Sequence, residues 1–219
     1  LVLKPHQGLA SHISEQQAIE AFQALEGRID NLEVENSDQQ AQIDALIELA
    51  NSLLPAPLTV FVSSGSYAPG VDFSSLEDAD GICQQLATDA GLSGAYKAWL
   101  SNELASPSSR FNRSSARYVL TDGTLVAQDW SDLTDCTNPN CLRHPIDLDE
   151  TRTAATSDYV WTGTTASGVV DLAEGNCLAW GSSDGGGGAG RVPSIGGSWS
   201  SILYGRFCGL SLLLYCFEQ

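Results

Sequence analysis

Methionine is absent from all 219 residues, and bases are scarce: 10 Lys and Arg stand against 27 Asp and Glu, for a net charge of −17. A chain this acidic repels a phosphate backbone, which excludes nucleic-acid binding by phosphate neutralisation. Attachment to an anionic membrane surface is disfavoured on the same ground. No apolar run approaches the about 20 residues of a transmembrane helix, so no membrane insertion is expected. The opening LVLKPHQG has neither Met nor an apolar h-region; a targeting signal is expected to lie elsewhere, and the sequence reads as part of a longer protein. Histidine is nearly missing too. His6 and His12 precede or open the first helical pattern, which leaves only His144 for a site in the rest of the chain. No Ser/His/Asp motif surrounds it, so it reads as a surface residue. The glycine run 185–188 is followed by no Gly-Lys-Ser/Thr and is framed by no strand-to-helix step, so it is not a phosphate loop. It reads as a mobile surface loop or as the rim of a binding site.

Six cysteines are present, an even number, with no Cys-x-x-Cys pair and none beside a His at zinc-finger spacing. Disulfides are the leading reading, and they imply an oxidising compartment: extracellular, a cell surface or a virion fibre. A nucleophilic cysteine, and a cytosolic enzyme, are correspondingly disfavoured.

Residues 1–57 and 58–219 obey different physics. The first stretch has no Cys, no Trp and only Gly8 and Gly27; the second holds every Cys and Trp. Two prolines in Leu54-Pro55-Ala56-Pro57 end any helix and mark the boundary. Within 11–53 apolar residues recur in heptads, with Phe22, Ile29, Asn36, Ile43 and Ala50 at a, and Ala18, Leu25, Leu32, Gln39, Leu46 and Leu53 at d. This predicts a parallel coiled coil, in which the polar Asn36 and Gln39 fix register and strand number at a cost in stability. Arg28-Ile29-Asp30-Asn31-Leu32-Glu33 places Arg at g and Glu at e around an apolar layer, and resembles a recurrent trimer-specifying pattern. The Arg stem covers the layer while its guanidinium reaches a Glu on the next helix. An ordinary exposed ion pair on a dimer is the alternative; a homotrimer is the expectation.

In 58–219, LTVFVSSGSY (58–67) reads as an opening strand and Ser75–Gly91 as a helix, from the 3–4 spacing of Leu76, Ala79, Cys83, Leu86 and Ala90. Ala95–Glu103 reads as a second short helix. ARYVLTDGTLVAQDW reads as a hairpin turning at Asp122-Gly123, SDYVWTGTT and LSLLLYCFE as later strands, and 181–199 as a long flexible loop. The class is α+β, with two helices early and short antiparallel strands late.

The order of these marks carries a family resemblance. Cys83 sits on the first helix, Trp161-Thr162-Gly163 follows a strand, and Cys177, Trp199-Ser200-Ser201, Cys208 and Cys216 come in turn. Together with YKAWLS (96–101), VLTDGTLVAQDWSDL (119–133), PIDLDE (145–150) and YCFEQ (215–219), residues 58–219 resemble the C-type lectin-like fold, closest to its bacterial, endostatin-like branch of uncharacterised members. Six cysteines allow 15 pairings, and spacing alone does not choose among them. The resemblance implies nested bridges Cys83–Cys216 and Cys177–Cys208, which leaves Cys136 and Cys141 as a local staple. It also points to bacteria or their phages, where the sequon Asn112-Arg113-Ser114 has no meaning.

Sugar-binding C-type lectins hold Ca²⁺ through a Glu-Pro-Asn or Gln-Pro-Asp triplet and a Trp-Asn-Asp triplet. Neither is present; Trp199-Ser200-Ser201 stands in the second one's place. No cofactor is therefore expected, although the crowd of Asp129, Asp132, Asp135, Asp147, Asp149 and Glu150 leaves a structural Ca²⁺ as a lesser alternative. The candidate ligand-binding residues are Trp180, Ser182, Ser183, Asp184, Arg191, Ser198, Ser200, Ser201, Tyr204 and Arg206, an aromatic, hydroxyl and Arg chemistry suited to recognition. Trp161 and Trp199 are expected to fill the core. The expectation for the whole is a non-enzymatic trimeric fibre tip whose heads bind a cell-surface glycan. The alternatives are a protein-receptor module, a structural cap on a trimeric fibre, and, least favoured, a hydrolase using Asp147, Asp149 or Glu150.

Overall fold

The computed structural model describes residues 14–137 and 140–219. The first heptad residues, 11–13, lie outside the described residues, as do His6 and His12. The chain divides into two compact units, Leu1–Leu54 and Pro55–Gln219.

In the first unit, helix α1 runs Glu15–Leu53, 39 residues and about 58 Å at about 1.5 Å per residue. Ser14 caps it: its hydroxyl accepts from the Gln17 amide, while the Gln17 side chain accepts from the Ser14 amide. Leu54 turns extended, as a residue before proline must, and the helix stops there. Ile29, Leu32, Ile43 and Leu46 are exposed, so the apolar seam has no cover within a single chain.

The second unit is mixed α+β, built on a curled sheet with few helices. Its strands are β1 (Leu58–Val62), β2 (Tyr96–Ala98), β3 (Tyr118–Val119), β4 (Leu125–Ala127), β5 (Tyr159–Trp161), β6 (Gly186–Gly187), β7 (Ala189–Arg191), β8 (Arg206–Phe207) and β9 (Leu213–Glu218). Its helices are α2 (Leu76–Asp89), α3 (Pro107–Arg110) and α4 (Trp130–Thr134). The main sheet runs β4-β3-β1-β9-β5-β7, with β2 also paired to β9; β6 and β8 form a separate ladder. The sheet is mixed rather than antiparallel as predicted, because β1 runs parallel to β3 and β5 runs parallel to β9.

Strand β9 is the axis. Leu213, Tyr215 and Phe217 enter one core cluster, while Leu212, Leu214 and Cys216 enter the other, the period-2 alternation of a strand buried on both faces. Strand β1 splits likewise, Val60 and Val62 to one side and Phe61 to the other. Helix α2 covers the second face through Leu76, Ala79, Cys83 and Ala87; the first three belong to the predicted stripe, while Ala87 rather than Leu86 or Ala90 completes it because Ala90 already lies at the C-cap. The first face is filled around Trp99, whose ring lies 4.9 Å from that of Trp199 and 5.1 Å from that of Phe217. Trp161 and Trp199 are fully buried, as expected.

All three disulfides join the cysteines that the resemblance pairs: Cys83–Cys216, Cys136–Cys141 and Cys177–Cys208. The first ties α2 to β9 across 133 residues.

Three local expectations are corrected. The opening strand ends at Val62, where Ser63 turns its hydroxyl to the Leu214 amide and the Gly65 carbonyl. Ala95–Glu103 is not a helix. Tyr96–Ala98 pairs with the far end of β9, and Asp80 on α2 accepts the Ala98 amide, so long-range partners override a helical pattern. Residues 181–199 are not a free loop, since β6 and β7 form within them. A side chain at Gly187 would come within 2.5 Å of Cys177 Sγ, and one at Gly190 would collide with the Trp199 carbonyl. These glycines are there to let neighbouring strands and a disulfide approach closely.

Candidate recognition surface

The expected ligand-binding residues separate into a buried set and a surface set. Trp180 is wholly buried: its ring packs edge-on to Trp161 at 5.9 Å, and its Nε1 donates to the Ser101 carbonyl at 2.9 Å. Ser200 is buried as well. It accepts from Trp99 Nε1 and donates to the Thr164 carbonyl, both at 2.7 Å. Both belong to the interior and are corrected from ligand contacts to core residues. A tryptophan flanked by loop-forming residues still gains more by burial than by display, and Ser200 is held inside as the acceptor of another, Trp99.

Ser201 is half-buried and donates to Asp171 at 2.5 Å. Ser198 shares a hydrogen bond with Ser194 at 2.7 Å. Ser182 accepts from the Asp184 amide at 3.0 Å, and Ser183 and Asp184 are exposed. The hydroxyls of Ser182 and Ser198 bond within their own turns, whereas that of Ser201 reaches the 171 loop.

What converges is the remainder. Tyr159 on β5 lies directly across from Arg191 on β7. Arg206 on β8 pairs with Gly187 on β6 and swings its guanidinium over the same ring. The Arg206 Cζ stands 4.0 Å from the Tyr159 ring centroid, and the Arg191 Cζ stands 6.0 Å from it. Arg206 Nη1 donates to the Tyr204 carbonyl at 3.3 Å, which brings Tyr204 to the edge of this cluster. Tyr204 is 83% exposed, and Leu203 equally so; Phe207 is also exposed.

The backbone carrying this surface is held hard. Cys177, Leu178, Ala179 and Trp180 are four consecutive residues in the left-handed region, with φ between 53° and 75°. Such a turn costs roughly 1–2 kcal/mol per residue. It persists because the Cys177–Cys208 bridge, the buried Trp180 ring and the Asn176 carboxamide accepting the Ala179 amide fix it from three sides. Its outcome is an outward Leu178. Tyr204, also left-handed at φ 65°, is braced by the Glu174 carboxylate, which accepts the next amide, that of Gly205.

Tyr159, Leu178, Leu203 and Phe207 were not among the residues singled out in the sequence. Leu203 and Phe207 had a signal, as apolar residues flanking a glycine in the Cys-bounded segment SILYGRFC. Tyr159 had none, since its role depends on strand partners.

Most of the acidic crowd at 129–150 is locally employed; Asp147 is the exception, with Oδ1 buried, without a hydrogen bond and 3.7 Å from His144 Nδ1. Asp129 caps α4, Asp132 takes the Gln128 amide and meets Arg143 at 3.1 Å, and Asp149 accepts from Thr151 and Thr153. Glu150 accepts the Ser64 hydroxyl. Hydrogen bonds from Thr137 hold the Asp135 carboxyl below the usual carboxylate range. His144 Nδ1 sits 2.9 Å from the Pro145 carbonyl. Among the described residues, no three His, Cys, Asp or Glu side chains are grouped to hold a metal ion. No helix of the described residues is long and apolar enough to cross a membrane. No protein-family model matches the chain, and no curated protein matches it.

Proposed function

We propose that the chain is a homotrimeric extracellular fibre tip, in which α1 forms a parallel coiled-coil stalk and each C-type lectin-like head recognises a glycan on another surface without the usual calcium–sugar motif. The observation that carries this reading is the exposed Tyr204, whose backbone carbonyl accepts from Arg206, on a segment braced by a disulfide. A rigid aromatic face offers contact area for sugar C–H groups at little entropic cost, and a neighbouring Arg supplies planar hydrogen bonds. The uncovered a and d positions of α1, with Arg28 and Glu33 flanking Ile29 and Leu32 and with Asn36 and Gln39 as polar layers, support the stalk. The bridge from the first head helix to the last strand supports the C-type lectin-like assignment. Three disulfides suit an oxidising, extracellular location. Three linked heads multiply a weak single-site affinity.

The test is an array of glycans and cell-envelope polysaccharides probed with the intact chain in Ca²⁺ and again in EDTA. Binding that survives EDTA and vanishes in Tyr204→Ala is the expected result; binding lost in EDTA would overturn the calcium-independent mechanism. A protein receptor is the second reading, favoured by the exposed apolar Leu178, Leu203 and Phe207.

A further inference from the structure

We infer that Arg191 and Arg206 together bind the single carboxylate of an acidic sugar, an inference that rests on the glycan-recognition reading above and names its ligand class.

The two guanidinium groups come from different ladders and meet at one ring. Both Cζ atoms lie within 6.0 Å of the Tyr159 centroid, and that of Arg206 lies at stacking distance, 4.0 Å. A guanidinium carries its N–H donors in its own plane, so stacking its face on a ring leaves the donor edges free for a planar acceptor. Arg206 uses one donor on the Tyr204 carbonyl. Among the described residues neither Arg has a carboxylate within ion-pair distance, and the side chain of Arg191 makes no hydrogen bond.

Most other cations of this unit have partners, and Arg117, whose buried Nε has none, is the exception. Arg110 is paired with Asp80 and Arg143 with Asp132; Lys97, Arg113 and Arg152 are spent on the carbonyls of Arg110, Ser108 and Thr121. In a chain with 27 acids and 10 bases, a carboxylate partner is the easiest thing to provide. Two like charges held at one ring without one repel each other, and a shared anion relieves that repulsion. A carboxylate matches the planar fork of an arginine better than a spherical ion does.

The surroundings name the rest of the ligand. Tyr204, 83% exposed and anchored to Arg206 through its carbonyl, supplies an apolar face for a sugar ring. A neutral sugar would leave the two charges unused, and a small inorganic anion would leave the aromatic face uncovered. The net charge of −17 opposes the approach of a dense polyanion, so the site favours an isolated carboxylate on an otherwise neutral chain over a heavily sulfated polymer.

The experiment compares the intact wild-type chain on one immobilised oligosaccharide in five forms: neutral parent, sialic-acid-terminated, uronate-terminated, and each acid as its methyl ester. Heparin is a sixth surface. The expected result is at least tenfold tighter binding to an acid form than to the parent or the ester, with heparin weaker. Because esterification alters the ligand alone, this arm stands even if a variant misfolds. Arg191→Gln/Arg206→Gln is expected to lose the preference with an unchanged urea midpoint, and Arg206→Lys to weaken it severalfold, since the fork is gone while the charge remains. Equal binding to parent, acid and ester would overturn the carboxylate site and leave the glycan reading standing. Strongest binding to heparin would overturn the selection of an isolated anion. Binding to none of the six would overturn both readings.

Discussion

Arg110 Nη2 stands 2.6 Å from each carboxylate oxygen of Asp80, and the same Asp80 accepts the Ala98 amide at 2.9 Å. One carboxylate thus joins α2, α3 and β2. The pair is largely out of water, with side chains 12% and 22% exposed. Removing one partner of such a pair strands the other. Asp80→Ala is expected to lower unfolding free energy by about 3 kcal/mol, at the low end for buried pairs because this one is partly wet. Urea denaturation measures it, and a midpoint equal to wild type would refute the clamp.

Ser200 and Tyr204 separate architecture from recognition. Ser200→Ala leaves the Trp99 indole N–H without its acceptor inside the core. A loss of about 1–3 kcal/mol in stability is expected, with ligand binding intact at low temperature. Tyr204→Ala is expected to do the reverse: no shift in the urea midpoint, and binding abolished on the array. A binding loss in Ser200→Ala without any stability change would return that residue to the ligand surface.

The three bridges close loops of different length, with sequence separations of 133, 31 and 5. On the chain-entropy account their contributions rank at about 5, 4 and 2 kcal/mol. Paired Cys→Ala variants, unfolded in urea, should follow that order. Loss of Cys136–Cys141 costing more than loss of Cys83–Cys216 would contradict it.

How far the sequence could be followed depends on the range of the forces involved. Helix α2 was legible because its cap, Ser75, and its stripe of Leu76, Ala79 and Cys83 are local facts. Strand β2 was not, because Tyr96–Ala98 takes its form from β9, more than a hundred residues away. The glycine run misled for a related reason. Glycine is ambiguous between freedom and close approach, and only the position of Cys177 Sγ decides which. Of the candidate surface, Tyr204 and Arg206 were found by chemistry alone. Their partner Tyr159 became visible only through strand register.

The exposed apolar residues of α1 are the basis of the proposed trimer. Light scattering on the intact chain should return three times 23.2 kDa. Leu32→Asp, which places a charge in the central apolar layer, should return the monomer mass. A dimer mass for the wild-type chain would replace the trimer and reduce the avidity argument to two heads.

Four tyrosines make this unit sensitive to alkali, since burial also pushes up the hydroxyls of Tyr67 and Tyr215. Burial pushes the hydroxyl of Tyr96 up to about 12, with the nearby Glu218 carboxylate adding to it, and burial pushes that of Tyr118 up to about 12. The unfolded chain loses those protons near pH 10, while the folded head keeps them to about pH 12. The folded state therefore holds more protons in that window, and stability should be level below pH 10 and fall between 10 and 12. Absorbance titration at 295 nm with parallel circular dichroism checks this. Tyr118→Phe should flatten part of the fall, and an unchanged slope would refute the assignment.

Strand β9 is the last element of the head along the chain, yet β1, β2 and β5 all hang on it. A nascent head has no template for its sheet until that strand leaves the ribosome. Cys83 meanwhile waits as a free thiol for a partner 133 residues behind it, while Cys136 and Cys141 can join as soon as both have emerged. Helix α1 precedes every strand of the second unit along the chain and is capped by its own Ser14. A chain cut before β9 would therefore carry α1 but lack the strand on which β1, β2 and β5 pair.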